Sequence, residues 1–363
     1  MNSQYLQIDN IHIFIWIILM YLFSKGVQTD REEIVLEKKV IRATPFFAIL
    51  CFLPVLLMTV YGRPRSDTYL YLSSFHALPT DMEGIRNTIS RSDCPGFSIF
   101  CILVKLLFGN NDSAYRMMIA LIHTIPVLYV FRKYSDNYLF TIYLFIAIGN
   151  HMAWMMNGLR QYMAVTMIFG ATPWLIQKKY IRTILVILIA ATIHRTALFM
   201  LPVIFLVQGE VWNKKTILYI VGAVAAAGVF ARNSAAFDNF ADSVGYSLEA
   251  AREFGDDGAN PLRVLVSAVP IVIAYLGRNV LRDEKNPIID ICVNMSIITT
   301  GIYLVAMVTS GIMVGRMPIY TSLYSLILLP HVIPAFFDET SSKVVSAAAV
   351  IFYFLHFYLQ WGI

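Results

Sequence analysis

The chain has 363 residues, of which 58% are hydrophobic, 13% are aromatic and only 14% are charged. Its mean hydropathy of +0.65 lies far above that of ordinary soluble domains and excludes that class. The formal net charge of +5 is modest, and no nucleic-acid partner is expected. The composition therefore predicts a polytopic membrane protein.

A bilayer core of roughly 30 Å needs about 20 apolar residues per crossing helix. Ten stretches come near this length, and they run approximately from Ile11 to Phe23, Thr44 to Tyr61, Ala114 to Phe131, Asn137 to Met155, Tyr162 to Ile176, Thr216 to Phe230, Leu262 to Leu276, Pro287 to Val308, Met317 to Val332 and Val344 to Leu359. The first stretch lacks a basic flank and a cleavage motif, so we expect it to remain as an anchor.

The basic residues predict the orientation. Most of the lysines fall into five clusters, which are Lys25 to Arg42, Arg132-Lys133, Lys178 to Arg182, Lys214-Lys215 and Arg278 to Lys285. The positive-inside rule places all five in the cytoplasm, so the chain must cross the membrane an even number of times between any two of them. Two further apolar stretches, Pro95 to Phe108 and Thr183 to Val207, would each make the number of crossings between two clusters odd if they spanned the membrane.

We therefore expect Pro95 to Phe108 to be an amphipathic helix at the outer interface. The stretch from Thr183 to Val207 should enter from the cytoplasm, turn near His194 and return. The predicted fold is all-α, with about 10 transmembrane helices, this interfacial helix and a re-entrant helical pair. Residues 1–363 form one membrane domain, with outer loops at 62–113 and 231–261.

On this topology the outer half carries almost only arginine. A guanidinium group offers a rigid fork that suits phosphate or carboxylate, so an outer cavity lined with arginine favours a phosphate-bearing or acidic ligand. The alternative, for most of these arginines, is snorkelling and pairing with the acidic loop from Asp238 to Asp257. This alternative does not apply to arginines at membrane depth, because burying such a charge is costly and is usually tied to function.

The first outer loop contains Arg65, Asp67 and Tyr69. A carboxylate beside a membrane helix and flanked by arginines is a candidate general base, or a group that orients a hydroxyl nucleophile. The alternative, an ion pair that caps the helix, is about equally favoured.

A polar string lies at Asn157, Gly158, Leu159, Arg160 and Gln161. On a helix, residues three and four apart share a face, so the side chains of Asn157, Arg160 and Gln161 can point into one cavity. An arginine there is suited to hold a diphosphate. The alternative is that Arg160 and Gln161 bond to neighbouring carbonyls and lock the hairpin.

Two further strings carry an outer arginine. His194 and Arg195 lie at the turn of the predicted re-entrant pair, where a histidine can donate to a sugar hydroxyl or exchange a proton. A buried structural histidine is the alternative. Arg316 begins a late helix, with Tyr320 one turn beyond it. No Walker loop and no metal-ligand spacing occur, so neither a metal nor a cofactor is expected.

These residues resemble the Wzy/EpsG-type polysaccharide polymerases, membrane glycosyltransferases of the GT-C superfamily. The resemblance rests on Asp67 with Tyr69, on the string from Asn157 to Gln161, and on the run from Ala190 to Ala197. It covers about residues 60 to 210. Where such proteins commonly have an acidic residue before a Pro/Gly-aromatic step, this chain reads Asp93-Cys94-Pro95-Gly96-Phe97.

The resemblance implies a reaction at the periplasmic or outer face of a bacterial cytoplasmic membrane. A glycan on undecaprenyl diphosphate would be joined to a new lipid-linked repeat unit, and undecaprenyl diphosphate would be released. The roles implied are Arg160, Arg195 and Arg316 for the diphosphate, Asp67 for the acceptor hydroxyl and His194 for positioning or protonation. Substrate contacts are also expected from Arg65, Tyr69, Asn157, Gln161 and Tyr320. The bilayer and a chain-length regulator are the other expected partners. A ligase of the same superfamily and a lipid-linked oligosaccharide flippase are the alternatives.

Overall fold

The computed structural model describes residues 10–64, 67–232 and 258–361. The described residues are almost entirely helical, which confirms the predicted all-α membrane class. They belong to two compact units, Met1–Leu201 with Val344–Ile363, and Pro202–Lys343. The expectation of one membrane domain over residues 1–363 stays a prediction.

The elements up to Ile193 are α1 (Asn10–Gly26), β1 (Asp30–Val35), β2 (Lys38–Ala43), α2 (Pro45–Tyr61), α3 (Asp67–His76), α4 (Met82–Ser90), α5 (Pro95–Phe108), α6 (Asp112–Tyr134), α7 (Tyr138–Ile148), α8 (Asn150–Met156), α9 (Leu159–Gly170), α10 (Thr172–Ile176) and α11 (Tyr180–Ile193). A 3-10 helix follows at Arg195–Phe199. The later helices are α12 (Met200–Leu206), α13 (Lys214–Arg232), Pro261–Leu276, Arg278–Glu284, Pro287–Ala306, the 3-10 helix Val314–Tyr320, Leu323–Phe336 and Glu339–Trp361.

Among the described residues, three helices are long and apolar enough to cross a membrane by themselves. Up to six spans result if each of three bent helix pairs counts as one. One such pair is α7 with α8, which meet at 68°. Gly149 separates them with a φ of 74°, a conformation that favours glycine. The multi-pass class is therefore confirmed, while the figure of about ten spans stays a prediction.

A β-hairpin occupies the first basic loop, where the sequence predicted no regular structure. Strands β1 and β2 pair antiparallel, with Asp30 opposite Ala43 and Val35 opposite Lys38. The two turn residues, Leu36 and Glu37, both have positive φ. A two-residue hairpin needs this geometry, but it is usually signalled by Asn-Gly or Asp-Gly. The Leu36-Glu37 turn therefore gave no sequence signal for the hairpin.

The two stretches that broke the parity are both helical. Helix α5 has 14 residues, and at 1.5 Å per residue its length of about 21 Å is shorter than a bilayer core. Helix α11 ends at Ile193, and His194 is extended at φ −150° and ψ 116°. The predicted break near His194 is confirmed, whereas the re-entrant path and the interfacial position of α5 stay predictions.

A hydrophobic core lies beneath the ends of α3, α5, α6, α9 and α11. It includes Phe75, Val104, Tyr115, Leu159 and Ile193, each less than a tenth exposed. The rings of Phe75 and Tyr115 stack with centroids 4.2 Å apart. This core fixes the relative positions of the helices that carry the polar strings.

Candidate functional site

The structure brings together four segments that are far apart in the chain. They are the start of α3, the start of α5, the Asn157 to Gln161 string and the turn after α11. The hydroxyl of Thr68 donates to the carbonyl oxygen of Met156. Because Thr68 follows Asp67 and Met156 precedes Asn157, this bond places the start of α3 against the start of the Asn157 to Gln161 string. Asp67 itself is the first residue of α3 and is partly buried.

Arg160 lies in the first turn of α9 between two aromatic rings. Its guanidinium carbon is 5.9 Å from the ring centroid of Tyr71 and 5.8 Å from that of Phe97. These two rings meet edge to face at 5.9 Å. Arg160 is thus held by cation–π contacts rather than by a carboxylate among the described residues.

Two polar atoms of this string are buried without a hydrogen-bond partner in the part of the chain that the structure describes. They are Nε of Arg160 and Oδ1 of Asn157. A buried polar group without a partner is costly, and such groups cluster where a ligand or water supplies the missing bond. The pair offers one donor and one acceptor to a polar ligand.

Gly158 links Asn157 to α9 and allows a close approach of an indole ring. A Cβ atom built at Gly158 would lie only 2.0 Å from Cε3 of Trp154. No side chain fits at that distance, so glycine is needed for α8 and α9 to meet as they do. The Asn-Gly pair of the string therefore has a packing function that its sequence alone did not reveal.

Gln161 connects the string to the turn after α11. It is 4% exposed, and its Nε2 donates to Oγ1 of Thr196 over 3.5 Å. Oγ1 of Thr196 also lies 2.6 Å from Nδ1 of His194. This chain of contacts holds the imidazole of His194 in one orientation, with the threonine hydroxyl as the link. These contacts link Gln161 to His194 through the hydroxyl of Thr196.

Arg195 pairs with Asp93 at the start of α5. Its Nη2 lies 3.0 Å from Oδ1 of Asp93, and its Nε donates to the Asp93 carbonyl oxygen over 3.2 Å. The side chains of Arg195 and Asp93 are 70% and 85% exposed, so the ion pair lies at the surface. In the sequence, Asp93 precedes the Pro95-Gly96-Phe97 step by two positions. Whether it supplies the carboxylate that such proteins have before this step, or that carboxylate is missing, stays open.

The other predicted site residues are Tyr69, Arg65, Arg316 and Tyr320. Tyr69 is 50% exposed on a different side of α3 from Tyr71, and Arg65 lies outside the described residues. Arg316 is exposed and Tyr320 is only 1% exposed, and both belong to the 3-10 helix Val314–Tyr320 of the second unit. Their roles at the site stay predictions.

Two aromatic residues that the sequence analysis did not select contact Arg160. Tyr71 lies four residues after Asp67, on the same face of α3, so helical spacing carried a signal for it. Phe97 belongs to the Pro95-Gly96-Phe97 step. A Cβ atom at Gly96 would lie 2.0 Å from Oγ1 of Thr192, so α5 and α11 approach closely here. That packing brings Phe97 towards Arg160.

Two buried side chains lie below the site. His123 is fully buried, its Nε2 is 3.1 Å from the carbonyl oxygen of Leu159, and its ring centroid is 5.0 Å from that of Tyr162. Nδ1 of His123 and the Tyr162 hydroxyl are buried without partners among the described residues. The contact with the Leu159 carbonyl oxygen places His123 against the first turn of α9.

Two basic residues assigned to the outer half are structural in this fold. Lys105 is buried and donates to the carbonyl oxygens of His76 and Leu78 at 2.6 Å each. Arg116 is also buried and donates twice to the carbonyl oxygen of Thr59, at 2.7 and 3.1 Å. Both side chains satisfy carbonyl groups at helix ends, which are otherwise left without partners.

No group of three or more His, Cys, Asp and Glu side chains able to hold a metal occurs among residues 10–64, 67–232 and 258–361. Comparison with known proteins gives one finding: a model of the EpsG family matches residues 44–362. No curated protein and no solved structure matches the chain. The family match covers every element of the candidate site.

Proposed function

We propose that this chain, which belongs to the EpsG family, is a polysaccharide polymerase that acts on undecaprenyl-diphosphate-linked repeat units. The observation that carries the proposal is Arg160. Its guanidinium is fixed by Tyr71 and Phe97, and its Nε lacks a partner among the described residues. A positioned guanidinium without a carboxylate partner is suited to a diphosphate leaving group.

The reaction follows from the charges that develop. An acceptor hydroxyl attacks the anomeric carbon of the donor glycan, a new carbon–oxygen bond forms, and the bond from that carbon to the diphosphate oxygen breaks. Undecaprenyl diphosphate leaves with the electron pair. The guanidinium of Arg160 stabilises the added negative charge, because a preorganised donor acts most strongly where charge develops. The released proton of the hydroxyl passes to a nearby base.

Asp67 and His194 are the proposed groups for the acceptor side. Asp67 is brought to the string by the Thr68 to Met156 bond, and His194 is oriented by Thr196. Either side chain is a suitable proton acceptor when it lies within hydrogen-bonding reach of the hydroxyl. Arg195, paired with exposed Asp93, and Arg316 are proposed as further contacts to the diphosphates of donor and acceptor. Asn157, Gln161, Tyr69, Arg65 and Tyr320 are proposed to contact the rest of the substrate.

The distribution of lysine supports a site on the outer face of the cytoplasmic membrane. Lysines concentrate in the hairpin and in the loops after α6 and α10, whereas the site carries arginine. By the positive-inside rule the lysine-rich loops are cytoplasmic. The proposed partners are the lipid-linked oligosaccharide, the bilayer and a chain-length regulator.

The test is polymerisation by purified protein in proteoliposomes, with a synthetic lipid-diphosphate repeat unit as substrate. Arg160→Ala should lower the rate of chain elongation by about 100-fold, as expected for loss of one preorganised donor to a developing charge. Arg160→Lys should recover little, since a lysine ammonium does not reproduce the planar fork. Arg86→Ala, which removes an exposed arginine from neighbouring α4, is the matched control and should elongate chains normally.

The products distinguish the alternatives. A ladder of increasing chain length that needs Arg160 supports the polymerase. Transfer of a single unit to another acceptor would instead identify a ligase. No product, together with movement of the intact lipid-linked substrate between leaflets, would identify a flippase.

A further inference from the structure

A separate cavity of about 830 Å³ lies in the first compact unit, away from the candidate site. It is lined by α1, the β-hairpin, the loop before α7, α7 itself and the Glu339–Trp361 helix. It shares no lining residue with the cluster around Arg160. Its volume falls within the range of about 300–1,000 Å³ that is common for small-molecule sites.

One end of the cavity is closed by aromatic rings. The ring of Phe14 lies 5.3 Å from that of Phe354 and 4.9 Å from that of Phe357, both edge to face. Tyr143 lines the wall, but its hydroxyl donates to the carbonyl oxygen of Val350 over 2.6 Å. Its ring therefore adds to an apolar wall and its hydroxyl is already bonded.

The opposite end is polar and carries charges of both signs. Lys25 and Asp30 line it, and neither makes an ion pair in the part of the chain that the structure describes. The Lys25 ammonium lies 5.0 Å from the ring centroid of Tyr21. Asp136 also lines this end, but its carboxylate is 3.0 Å from the guanidinium of Arg42. Lys25 and Asp30 are thus the charges left for a ligand.

The length of the cavity matches one leaflet. Phe14 and Lys25 are separated by 11 residues on α1, which is about 16 Å at 1.5 Å per residue. Half of a hydrocarbon core of roughly 30 Å is about 15 Å. An apolar channel of that length with a charged end has the form of one acyl chain and its headgroup.

We propose that this cavity binds a phospholipid with a zwitterionic headgroup that carries a primary ammonium, such as phosphatidylethanolamine. One acyl chain lies along α1 and the Glu339–Trp361 helix towards Phe14. The headgroup phosphate contacts Lys25, and the headgroup ammonium contacts Asp30. Lipid headgroups bind in basic pockets between membrane helices on the cytoplasmic side. Lys25 belongs to the Lys25 to Arg42 cluster, which the positive-inside rule places on that side.

The experiment is native mass spectrometry of the full chain, extracted in a mild detergent and titrated with defined phospholipids. Phosphatidylethanolamine should remain bound at collision energies that remove phosphatidylglycerol, which lacks the ammonium, and phosphatidylcholine, whose ammonium has no hydrogen to donate. Ala347→Phe places a ring in the cavity and should reduce lipid occupancy at least tenfold. Ala348→Phe, on the same helix but outside the cavity lining, should leave occupancy unchanged.

The headgroup contacts have their own variants. Lys25→Gln should weaken binding of all three phospholipids, whereas Asp30→Asn should remove only the preference for phosphatidylethanolamine. Lys39→Gln, on strand β2 and outside the cavity lining, is the control for Lys25→Gln. Equal lipid binding by Ala347→Phe would overturn the site. If the wild-type protein instead forms a dimer without bound lipid, and Ala347→Phe dissociates that dimer, the lipid site is overturned and a second copy of this chain occupies the cavity.

Discussion

The guanidinium carbon of Arg160 lies 5.9 Å from the ring centroid of Tyr71. Tyr71 therefore helps to position the cation before any substrate binds. Tyr71→Leu removes the aromatic ring and keeps an apolar side chain. Because a cation–π contact is worth about 0.5–2 kcal/mol, we expect the elongation rate to fall by about 2- to 30-fold. The initial rate of chain elongation in proteoliposomes measures this effect.

Tyr61→Leu is the matched control for that variant. Tyr61 is the last residue of α2, and its side chain is 40% exposed. If Tyr61→Leu and Tyr71→Leu slow elongation equally, the Tyr71 ring has no special role in positioning Arg160.

Gly158 gives a prediction about folding. An alanine there would place Cβ 2.0 Å from Cε3 of Trp154, so either the ring or α9 must move. Overpacking of this kind typically costs about 1–3 kcal/mol, and we expect Gly158→Ala to lower the thermal unfolding midpoint accordingly. Gly222→Ala is the control, because no atom lies within 4 Å of a Cβ built at Gly222.

A second variant separates packing from backbone effects at Gly158. The double variant Gly158→Ala with Trp154→Leu removes the ring atoms that the new methyl group meets. It should recover part of the stability lost in Gly158→Ala alone. No recovery would mean that the glycine is needed for its backbone conformation and not for the approach of Trp154.

The helical spacing predicted for the polar string holds only in part. Residues three and four apart share a helical face, but Asn157 follows the end of α8 and Gly158 separates it from α9, so only Arg160 and Gln161 belong to the same helix. Gln161 and Thr196, which link the string to His194, are 35 positions apart in the chain. No local sequence pattern predicts a contact over that separation. The family resemblance supplied the association, and tertiary packing supplies the geometry.

Other features depended on packing that a single sequence does not display. Phe97 reaches Arg160 because Gly96 lets α5 approach α11 within the reach of Thr192. The hairpin was missed because its turn residues are Leu36 and Glu37 rather than a glycine pair. Lys105 looked like a charge at a membrane surface, but it is buried against carbonyl groups.

Lys105 is therefore expected to stabilise the first outer loop. Its ammonium donates to the carbonyl oxygens of Phe75, His76 and Leu78 at the end of α3. Lys105→Met keeps the apolar stem and leaves these carbonyls without that partner, at a cost of about 1–3 kcal/mol for a lost buried bond. We expect proteolysis in residues 77–81 to be at least several-fold faster. Lys105→Arg, which keeps the charge and donors, should lie between wild type and Lys105→Met, and equal cleavage of all three proteins would exclude the capping role.

The hairpin provides a pH-dependent prediction. Burial alone would raise the pKa of Glu33, but hydrogen bonds from Arg31 and Arg132 and their positive charges together lower it below the ordinary value of 4.5. A carboxyl group whose pKa is lowered by folding stabilises the folded state at any pH above its unfolded pKa. That contribution is lost as the pH falls through the lower, folded pKa. Glu33→Gln should therefore reduce the thermal unfolding midpoint at pH 7, and the difference from wild type should shrink once the pH falls below about 4.5.

Glu32→Gln is the control that isolates this effect. Glu32 is the preceding residue of β1, it is exposed, and it makes no ion pair in the described part of the chain. Its replacement removes the same charge without removing the contact to Arg132, so any general effect of net charge appears in both variants. Only Glu33→Gln should show a stability difference that disappears at low pH. A difference that stays constant from pH 7 to pH 3 would mean that Glu33 acts through packing of its side chain and not through its charge, because protonation would then leave its contribution unchanged.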